Sequence, residues 1–458
     1  MTPTLKEKEA LKPVHYTGMG KQVYRIGEAS SDSELLLLKK GVWLYFFLLL
    51  FEGALRKWFF PGLATPLLIV RDPLALWLVL SVWQRGLLPS NIFMSGMITV
   101  GLFGVFTAVF FGHGNLYVAL YGLRIFIIHF PFIFVIGRIF NRDDVLKLGK
   151  ITLWLAVPMT ILIALQFYSP QSAWVNRGVG GDMSGAGFGG AMGYFRPPAT
   201  FSFTNGTTLF YGLVACFVFY FWFQLKNINR LVLIVATVAL LAAIPLSISR
   251  TLFFQVIISL VFSIVAASKD TQFFGRMVLS CLAGFIALAI LSQTSFFQTA
   301  TEAFFARFDS ANTQEGGLDG VLLDRYLGGL IGALTNSSDI PFFGYGLGMG
   351  TNVGSMLLAG KKEFLIAEEE WARTVGELGP LLGLSVIALR LCLSAKLTHA
   401  SYSNLNQGNI LPWMLLSLGL LTIPQAQWAQ PTSLGFSVLI AGLIIASLRV
   451  PEPDASSS

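Results

Sequence analysis

Residues 92–111, with the sequence IFMSGMITVGLFGVFTAVFF, form a run of twenty residues without a charged side chain. A helix of this length crosses the ~30 Å hydrocarbon core of a lipid bilayer. Apolar runs of comparable length recur along nearly the whole chain, whereas transmembrane β-strands would alternate over about ten residues. Because a helix also satisfies its own backbone hydrogen bonds in lipid, the sequence predicts an all-α polytopic membrane protein.

The apolar runs predict about 12 transmembrane helices. They lie near residues 42–60, 66–83, 92–111, 117–137, 148–168, 207–224, 231–248, 251–267, 277–293, 374–394, 409–424 and 434–449.

Composition excludes an ordinary water-soluble fold. Of the 458 residues, 54% are hydrophobic and 12% are charged, whereas soluble domains carry about 25% charged residues. The net charge of +7 would suit nucleic acid, but the cationic residues gather in alternate connections between spans rather than in one stripe. This bias predicts that both termini are cytoplasmic and that nucleic acid is not a partner.

The predicted organisation has five parts. Residues 1–35 form a cytoplasmic tail, 36–293 contain helices 1–9 with an outward loop at 169–206, and 294–373 form a large outward loop. Residues 374–450 contain helices 10–12, and 451–458 form a disordered tail. The three cysteines have no metal-type spacing, so no metal site is predicted.

The second outward loop has the richer pattern. Residues 296–308 predict an amphipathic helix, and 318–334 predict another helix. The turn Pro341–Gly348 contains Gly344, Gly346 and Gly348, which would let the backbone approach a ligand closely. The alternative interpretation of this turn is a flexible aromatic hairpin.

The same loop ends in a charged segment beside Trp371. Glu369 and Glu370 precede Arg373 by four and three residues, and Glu377 follows it by four, so a helix would bring these carboxylates to the guanidinium. The alternative is a solvated cluster that marks the membrane boundary.

Arginines on the outward side run against the usual charge bias and therefore need a reason. Arg250 is the sharpest case, because it lies in a turn of a few residues between two apolar spans. Arginine recognises phosphate through paired hydrogen bonds, and several converging arginines would bind a diphosphate; the alternative for Arg250 is contact with lipid headgroups. The outward arginines are Arg177, Arg196, Arg250, Arg307, Arg325 and Arg373.

Charges within the first spans are interpreted differently. Glu52 and Arg56 are four residues apart, and Arg71, Asp72 and Arg124 lie in neighbouring spans. We expect them to form packing pairs inside the bundle.

In their order along the chain, these features resemble the superfamily of O-antigen ligases and Wzy-type polymerases of O-antigen and exopolysaccharide. The resemblance covers roughly residues 90–450 and rests on the large loop between spans nine and ten and on several short motifs. These are the Arg196 segment with its Thr200-Phe201 and Asn205-Gly206 pattern, Ser249-Arg250, the Pro341–Gly348 turn, and Glu377-x-Gly379.

The resemblance implies a GT-C-like fold with periplasmic loops in a bacterial inner membrane. It implies a glycosyltransferase that uses a glycan on undecaprenyl diphosphate as donor and another glycan as acceptor, without a metal or other cofactor. In such enzymes outward arginines hold the diphosphate, and the matching positions are Arg196, Arg250 and Arg325. Arg250 is thereby also a candidate catalytic residue. Chain-length regulators and flippases are candidate protein partners.

The sequence differs from the family's ligases at one position, and this difference bears on whether the protein is a ligase or a polymerase. The ligases usually carry a histidine nine residues before the glutamate of Glu-x-Gly, and Glu368 stands there in this chain. Neither long loop contains a histidine. This favours a polymerase of glycan repeats over an O-antigen/lipid A-core ligase.

The expected mechanism is an inverting attack by an acceptor hydroxyl on the lipid-linked sugar. Glu368, Glu369 or Glu370 would accept the hydroxyl proton, and the residues leave the choice among them open. Arg373 and the three turn glycines would contribute to substrate binding, and Trp371 would stack on a sugar. The alternatives are a transporter of polysaccharide or lipid-linked oligosaccharide, and a scaffold for polysaccharide export.

Overall fold

The computed structural model of the protein describes residues 32–449 except for residues 89, 270–273, 276–281, 283, 285, 287–289, 291–292, 315–339 and 362. Up to Tyr168 its α-helices are α1 (Asp32–Ala54), α2 (Ala64–Leu67), α3 (Arg71–Gln84), α4 (Ile92–Phe110), α5 (Leu116–Arg124), α6 (Phe130–Ile139) and α7 (Arg142–Tyr168). A π-helical turn, Leu55–Phe59, continues α1, and another, Ile125–His129, joins α5 to α6.

The second part of the chain begins with an antiparallel hairpin of β1 (Phe188–Ala191) and β2 (Tyr194–Arg196), in which Phe188 lies opposite Arg196. The helices that follow are α8 (Thr204–Phe223), α9 (Arg230–Leu246), α10 (Arg250–Ala267), α11 (Ser295–Gln314), α12 (Asn352–Ala359), α13 (Glu370–Asn406), α14 (Leu411–Thr422) and α15 (Pro431–Ser447).

Seven helical stretches in the described part of the chain are long and apolar enough to cross a membrane. They are Pro61–Gln84, Ile92–Phe110, Leu116–Ile139, Arg142–Tyr168, Thr204–Phe223, Arg250–Ala267 and Glu370–Asn406. The shorter helices α9, α14 and α15 are also apolar. The chain is therefore a helical membrane protein with several spans, and a total of about 12 crossings remains a prediction from hydropathy.

Helix ends differ from the predicted ranges more than helix positions do. Helix α1 begins at Asp32, within the segment predicted as a tail, and α13, which has a kink at Gly379, extends from Glu370 to Asn406 where the prediction was 374–394. Hydropathy locates the part of a helix that suits lipid, not the polar turns that continue it. Most of the predicted span 277–293 lies outside the described residues.

Polar residues at several helix starts explain why these helices begin where they do. Asn91, Asn115 and Ser249 each accept a hydrogen bond from a backbone N–H in the first turn of the helix that follows. Asn141 forms a capping box with Asp144 at the start of α7. Such caps satisfy backbone donors that the helix itself leaves unpaired.

Burial shows which helices lie at the centre of the bundle. Of the 18 most apolar consecutive residues in helix α8, 78% are buried, compared with 22% in the stretch Pro61–Gln84. Helix α8 therefore forms part of the interior, while α2 and α3 lie at the periphery.

The two long loops meet at one end of the bundle, which we call the loop end. Asn205, at the start of α8, donates to the Gln430 side-chain oxygen at 2.9 Å, and Gln427 donates to the backbone oxygen of Glu368 at 2.9 Å. The connection between α14 and α15 thus touches the end of the first loop and the end of the second. The side of the membrane that the loop end faces remains a prediction.

Candidate functional site

Three arginines from different elements gather at the loop end, and we call them the arginine cluster. Arg196 ends β2, Arg250 begins α10, and Arg307 lies on α11. The Arg196 guanidinium lies over the Phe188 ring at 4.7 Å, and Arg307 Nη1 donates to the backbone oxygen of Gly190 at 3.1 Å. The cluster is therefore built around the hairpin.

Aromatic packing holds α11 in this position. The ring of Phe253, one turn into α10, lies 5.9 Å from that of Phe304 and 5.7 Å from that of Phe308. Phe297 and Phe304 are buried whereas Phe296 and Phe305 are exposed. The predicted amphipathic helix is thus confirmed, and its apolar face packs on the bundle.

The electrostatics of the cluster favour an anion. The pKa of Arg196 is lowered to about 10, first by burial of the guanidinium and then by the positive charges of Arg307 and Arg250. Among the described residues no carboxylate forms an ion pair with Arg196, and its Nε is buried without a hydrogen-bond partner. A bound polyanion would relieve the repulsion among these charges.

Backbone strain surrounds the same arginines. Within the described residues, the positive φ angles outside glycine are those of Met192 (53°), Ala199 (52°) and Ile248 (47°). Each lies within four residues of Arg196 or Arg250. Strained backbone of this kind is retained where the surrounding structure enforces it and is concentrated at functional sites.

The charged segment at the start of α13 lines a small pocket. Its walls come from the turn before α12, the end of the second loop, and the connection between α14 and α15. The cavity has a volume of about 10 Å³, about the minimum that can hold one water molecule. It therefore suits a single polar group rather than a sugar ring. The lining residues are Gly350, Asn352, Phe364, Ala367, Glu368, Glu370, Arg373, Gln427, Ala429 and Gln430.

Glu370 belongs to an ionic network that forms part of the wall of this pocket. Its carboxylate accepts from Arg373 Nη2 at 2.8 Å, from Arg390 Nη1 at 2.7 Å and from the Trp428 backbone N–H at 3.0 Å. Arg373 also pairs with Glu377 at 2.6 Å. Two buried carboxylates thus balance two buried guanidinium groups, which confirms that Arg373 reaches carboxylates on both sides; its role in substrate binding stays a prediction.

The three consecutive glutamates have different environments. Glu370 is only 3% exposed, and its oxygens are occupied by the network, so it is unsuited to act as a base. Glu369 is exposed and precedes the first residue of α13 without a capping hydrogen bond. Glu368 is exposed, lines the pocket, and makes no ion pair with a described residue. Of the three candidates, Glu368 has the position that a base requires.

The glycine turn packs against the bundle instead of opening toward a ligand. Gly344, Gly346 and Gly348 have φ angles of 72°, 117° and 91°. A Cβ on Gly344 would lie 2.5 Å from the Glu377 oxygen, and one on Gly348 would lie 2.1 Å from the Val118 oxygen. The glycines are thus required for close contact between backbones. Neither the ligand-approach prediction nor the flexible-hairpin alternative describes this packing.

Trp371 is buried near the start of α13. Its ring is 5% exposed, and Nε1 donates to the Pro424 oxygen at 2.9 Å. The side chain packs with Val375 and Ile387 and borders a cavity shared with Leu420 and Pro424; stacking on a sugar stays a prediction.

The first turn of α8 connects the arginine cluster with the pocket. Asn205 donates to Gln430, which lines the pocket, and Thr208 hydrogen-bonds with Ser249, the residue before Arg250, at 3.0 Å. Residues three apart on a helix are neighbours on its surface, about 5–6 Å apart. Ser249, which precedes Arg250, and Gln430 of the pocket therefore both contact this turn.

Some predicted positions remain outside this geometry. Arg325 and the predicted helix 318–334 lie outside the described residues. Conversely, the sequence interpretation missed Asn352, Gln427 and Gln430 as pocket residues. The pattern Pro424-Gln-Ala-Gln-Trp-Ala-Gln-Pro431, polar and bounded by prolines between two apolar runs, was the available signal for the glutamines.

The charges in the first spans form the packing pairs that we expected. Glu52 pairs with Arg56 at 3.3 Å and with Arg71 at 3.0 Å. Asp72 pairs with Arg124 at 2.8 Å and contacts His129 Nε2 at 2.8 Å. Because all of these groups are largely buried, each compensates the desolvation of its partner.

Fold and site together define a helical membrane protein with several spans that presents two polar centres at one end of its bundle. Comparison of the chain with models of protein families, with characterised proteins and with solved structures found no match.

Proposed function

We propose that the protein is a membrane glycosyltransferase that polymerises glycan repeats carried on undecaprenyl diphosphate at the periplasmic face of a bacterial inner membrane. The observation that carries this proposal is the arginine cluster, where three cationic side chains converge among strained backbone. A diphosphate has the charge and oxygen geometry that such guanidinium groups recognise. The family resemblance of the sequence supplies the glycan lipid as its source.

In the proposed reaction, an acceptor hydroxyl attacks the anomeric carbon of the donor sugar with inversion. The new glycosidic bond forms as the bond from that carbon to the diphosphate oxygen breaks. Glu368 takes the hydroxyl proton, and undecaprenyl diphosphate leaves with the bonding electron pair. Glu368 fits this role because its carboxylate is exposed at the pocket and is not engaged by a described cation.

The arginine cluster would stabilise the charge that develops on the leaving group. Arg196 and Arg250 are then both binding and catalytic residues, and Arg307 joins them. Loss of one preorganised electrostatic donor typically raises a barrier by ~2.7–4 kcal/mol. A general base contributes roughly 10²–10⁴-fold.

The test replaces Arg196 and Arg250 separately by Ala in a strain whose own copy has been removed, and compares polysaccharide chain length at equal membrane expression. Arg85→Ala is the matched control, because Arg85 pairs with Glu34 at 3.6 Å away from the loop end. We expect short or absent chains for the two cluster variants only. Wild-type chain lengths in both would exclude a diphosphate clamp at this site.

A second comparison concerns the base. Glu368→Gln should reduce transfer while Glu369→Gln, its exposed neighbour, should leave it unchanged. Purified variants acting on a lipid-linked repeat unit also separate polymerase from ligase, because a ligase would add the donor glycan once to its acceptor without forming multimers. Equal activity of the two glutamine variants would remove Glu368 from the mechanism.

A transporter of lipid-linked oligosaccharide is the second candidate, and one observation favours it. Asp72, His129 and Arg124 place a protonatable group inside the helical stretches Pro61–Gln84 and Leu116–Ile139. Charged groups within spans are found in proton relays. Proton flux into proteoliposomes that requires an added lipid-linked glycan, and that Asp72→Asn abolishes, would support transport over transfer.

A further inference from the structure

An irregular, buried segment directly follows Arg196. Residues Pro197 to Phe201 are not helical, yet all are buried, and Ala199 has a φ of 52°. Non-helical backbone inside a membrane bundle is tolerated only where its polar groups find partners within the protein. The partners of this segment therefore determine whether it can occupy this position.

Two side chains clamp the Ala199 peptide groups. The Gln166 amide accepts from the Ala199 N–H at 2.8 Å and donates to the Ala199 oxygen at 3.2 Å. Lys57 Nζ donates to the same oxygen at 2.6 Å. Both side chains are buried, with Gln166 2% exposed and Lys57 fully buried.

Further contacts press the segment against α1. The Thr200 hydroxyl donates to the Leu50 oxygen at 2.6 Å, and a Cβ on Gly53 would lie 2.4 Å from the Ser202 nitrogen. Gly53 thus leaves the space in which this backbone lies. The clamp is consequently a docking site for one defined backbone conformation.

Lys57 is an unusual choice for this position. Among the described residues it has no carboxylate partner, and its Nζ donates to the Ala199 oxygen and lies 4.5 Å from the centroid of the Trp58 ring. Burying an amine without a carboxylate is costly. The burial of Lys57 is therefore spent on its hydrogen bond to the Ala199 oxygen, which fixes this peptide group from a second direction.

We infer that Lys57 and Gln166 are positioning residues that hold Ala199 in its left-handed conformation and thereby orient Arg196 within the arginine cluster. This inference rests on the proposed function, because it assigns a purpose to the direction of Arg196. The link between clamp and arginine is stiff: Pro197 and Pro198, whose rings fix φ, are the residues between Arg196 and Ala199. A displacement at Ala199 is therefore transmitted to β2 instead of being absorbed.

The first experiment measures binding of inorganic pyrophosphate to the purified full-length protein in detergent. We expect Lys57→Met to weaken binding about tenfold in the wild-type background, and to have no further effect in an Arg196→Met background. Lys39→Met is the matched control, because Lys39 pairs with Asp144 away from the loop end. Equal effects of Lys57→Met in both backgrounds would overturn the inference, since Lys57 would then act independently of Arg196.

A compensating variant tests the conformational part. Glycine adopts positive φ without penalty, so Ala199→Gly should make the left-handed conformation less dependent on the clamp. We expect Lys57→Met to lose only about twofold in affinity in the Ala199→Gly protein instead of about tenfold. An unchanged tenfold loss would show that Lys57 does not act by fixing Ala199.

Hydrogen exchange separates failure of this inference from failure of the proposed function. In the wild type the Ala199 N–H should be protected by Gln166, and Lys57→Met or Gln166→Leu should increase exchange over residues 188–203 while α8 stays protected. If exchange changes in this way but the wild type does not bind pyrophosphate, the clamp exists and the proposed diphosphate site is wrong. If exchange over 188–203 is unchanged, there is no clamp.

Discussion

The Glu370 network provides the most direct prediction, because one isosteric change breaks it. Glu370→Gln keeps the size of the side chain but removes the negative charge that pairs with Arg373 and Arg390. The network then changes from two carboxylates and two guanidinium groups to one carboxylate and two. One positive charge is left buried without a counter-charge.

The expected magnitude follows from the burial of these groups. The side chains of Glu370, Arg373 and Arg390 are 1%, 7% and 3% exposed, so solvent cannot replace the missing charge. Removing one partner of a buried ion pair typically destabilises a protein by about 3–5 kcal/mol. Each Glu370 oxygen accepts from two donors, so the glutamine oxygen retains acceptor positions for two of the four, which places the expected loss at the lower end of that range.

The assay is thermal unfolding of the purified protein in detergent, with Glu369→Gln as the control. Glu369 is exposed and has no capping hydrogen bond, so its variant should change stability by no more than about 0.5 kcal/mol. Adding Arg390→Gln to Glu370→Gln should recover part of the loss, because it removes the unpaired charge. Equal unfolding temperatures for the two single variants would refute the view that Glu370 is a structural counter-ion.

Three further predictions concern other parts of the site. Gly348→Ala should strongly reduce the yield of folded protein, because the new Cβ would lie 2.1 Å from the Val118 backbone oxygen. Gly360→Ala is the control: Gly360 has a φ of 72°, but its Cβ would have no atom within 4 Å, so the variant should lose about 1 kcal/mol or less of stability in thermal unfolding. Arg196→Met should weaken pyrophosphate binding without lowering the unfolding temperature, because it removes a repelled, partly buried charge. The pKa of Arg196 in the folded protein is lowered to about 10, so the unfolded chain binds this proton more tightly. The contribution of Arg196 to the free energy of unfolding should therefore rise with pH from about pH 9 to about pH 12. It is measured as the difference between wild type and Arg196→Met in denaturant unfolding.

The sequence by itself determined the class of protein and the approximate positions of most helices in the described part of the chain. Apolar runs such as 92–111 leave a helix as the stable form in lipid, because its backbone hydrogen bonds are made within the segment. Local polar residues such as Asn141 and Ser249 determined where several helices begin, since caps act over three residues. The pairing of Glu52 with Arg56 could also be predicted from the sequence, because residues four apart lie on one face of a helix.

Only the tertiary structure decided which of the polar candidates are available to a ligand. Glu368, Glu369 and Glu370 are equivalent by sequence spacing, yet Arg390, twenty residues further along the chain, occupies Glu370 and leaves Glu368 at the pocket. The same holds for Arg373, whose charge is balanced within the bundle, and for Arg196, which meets Arg250 and Arg307 only through the packing of the hairpin and α11. Burial and long-range pairing depend on which helix faces meet, and that information is not contained in the spacing of residues along one segment.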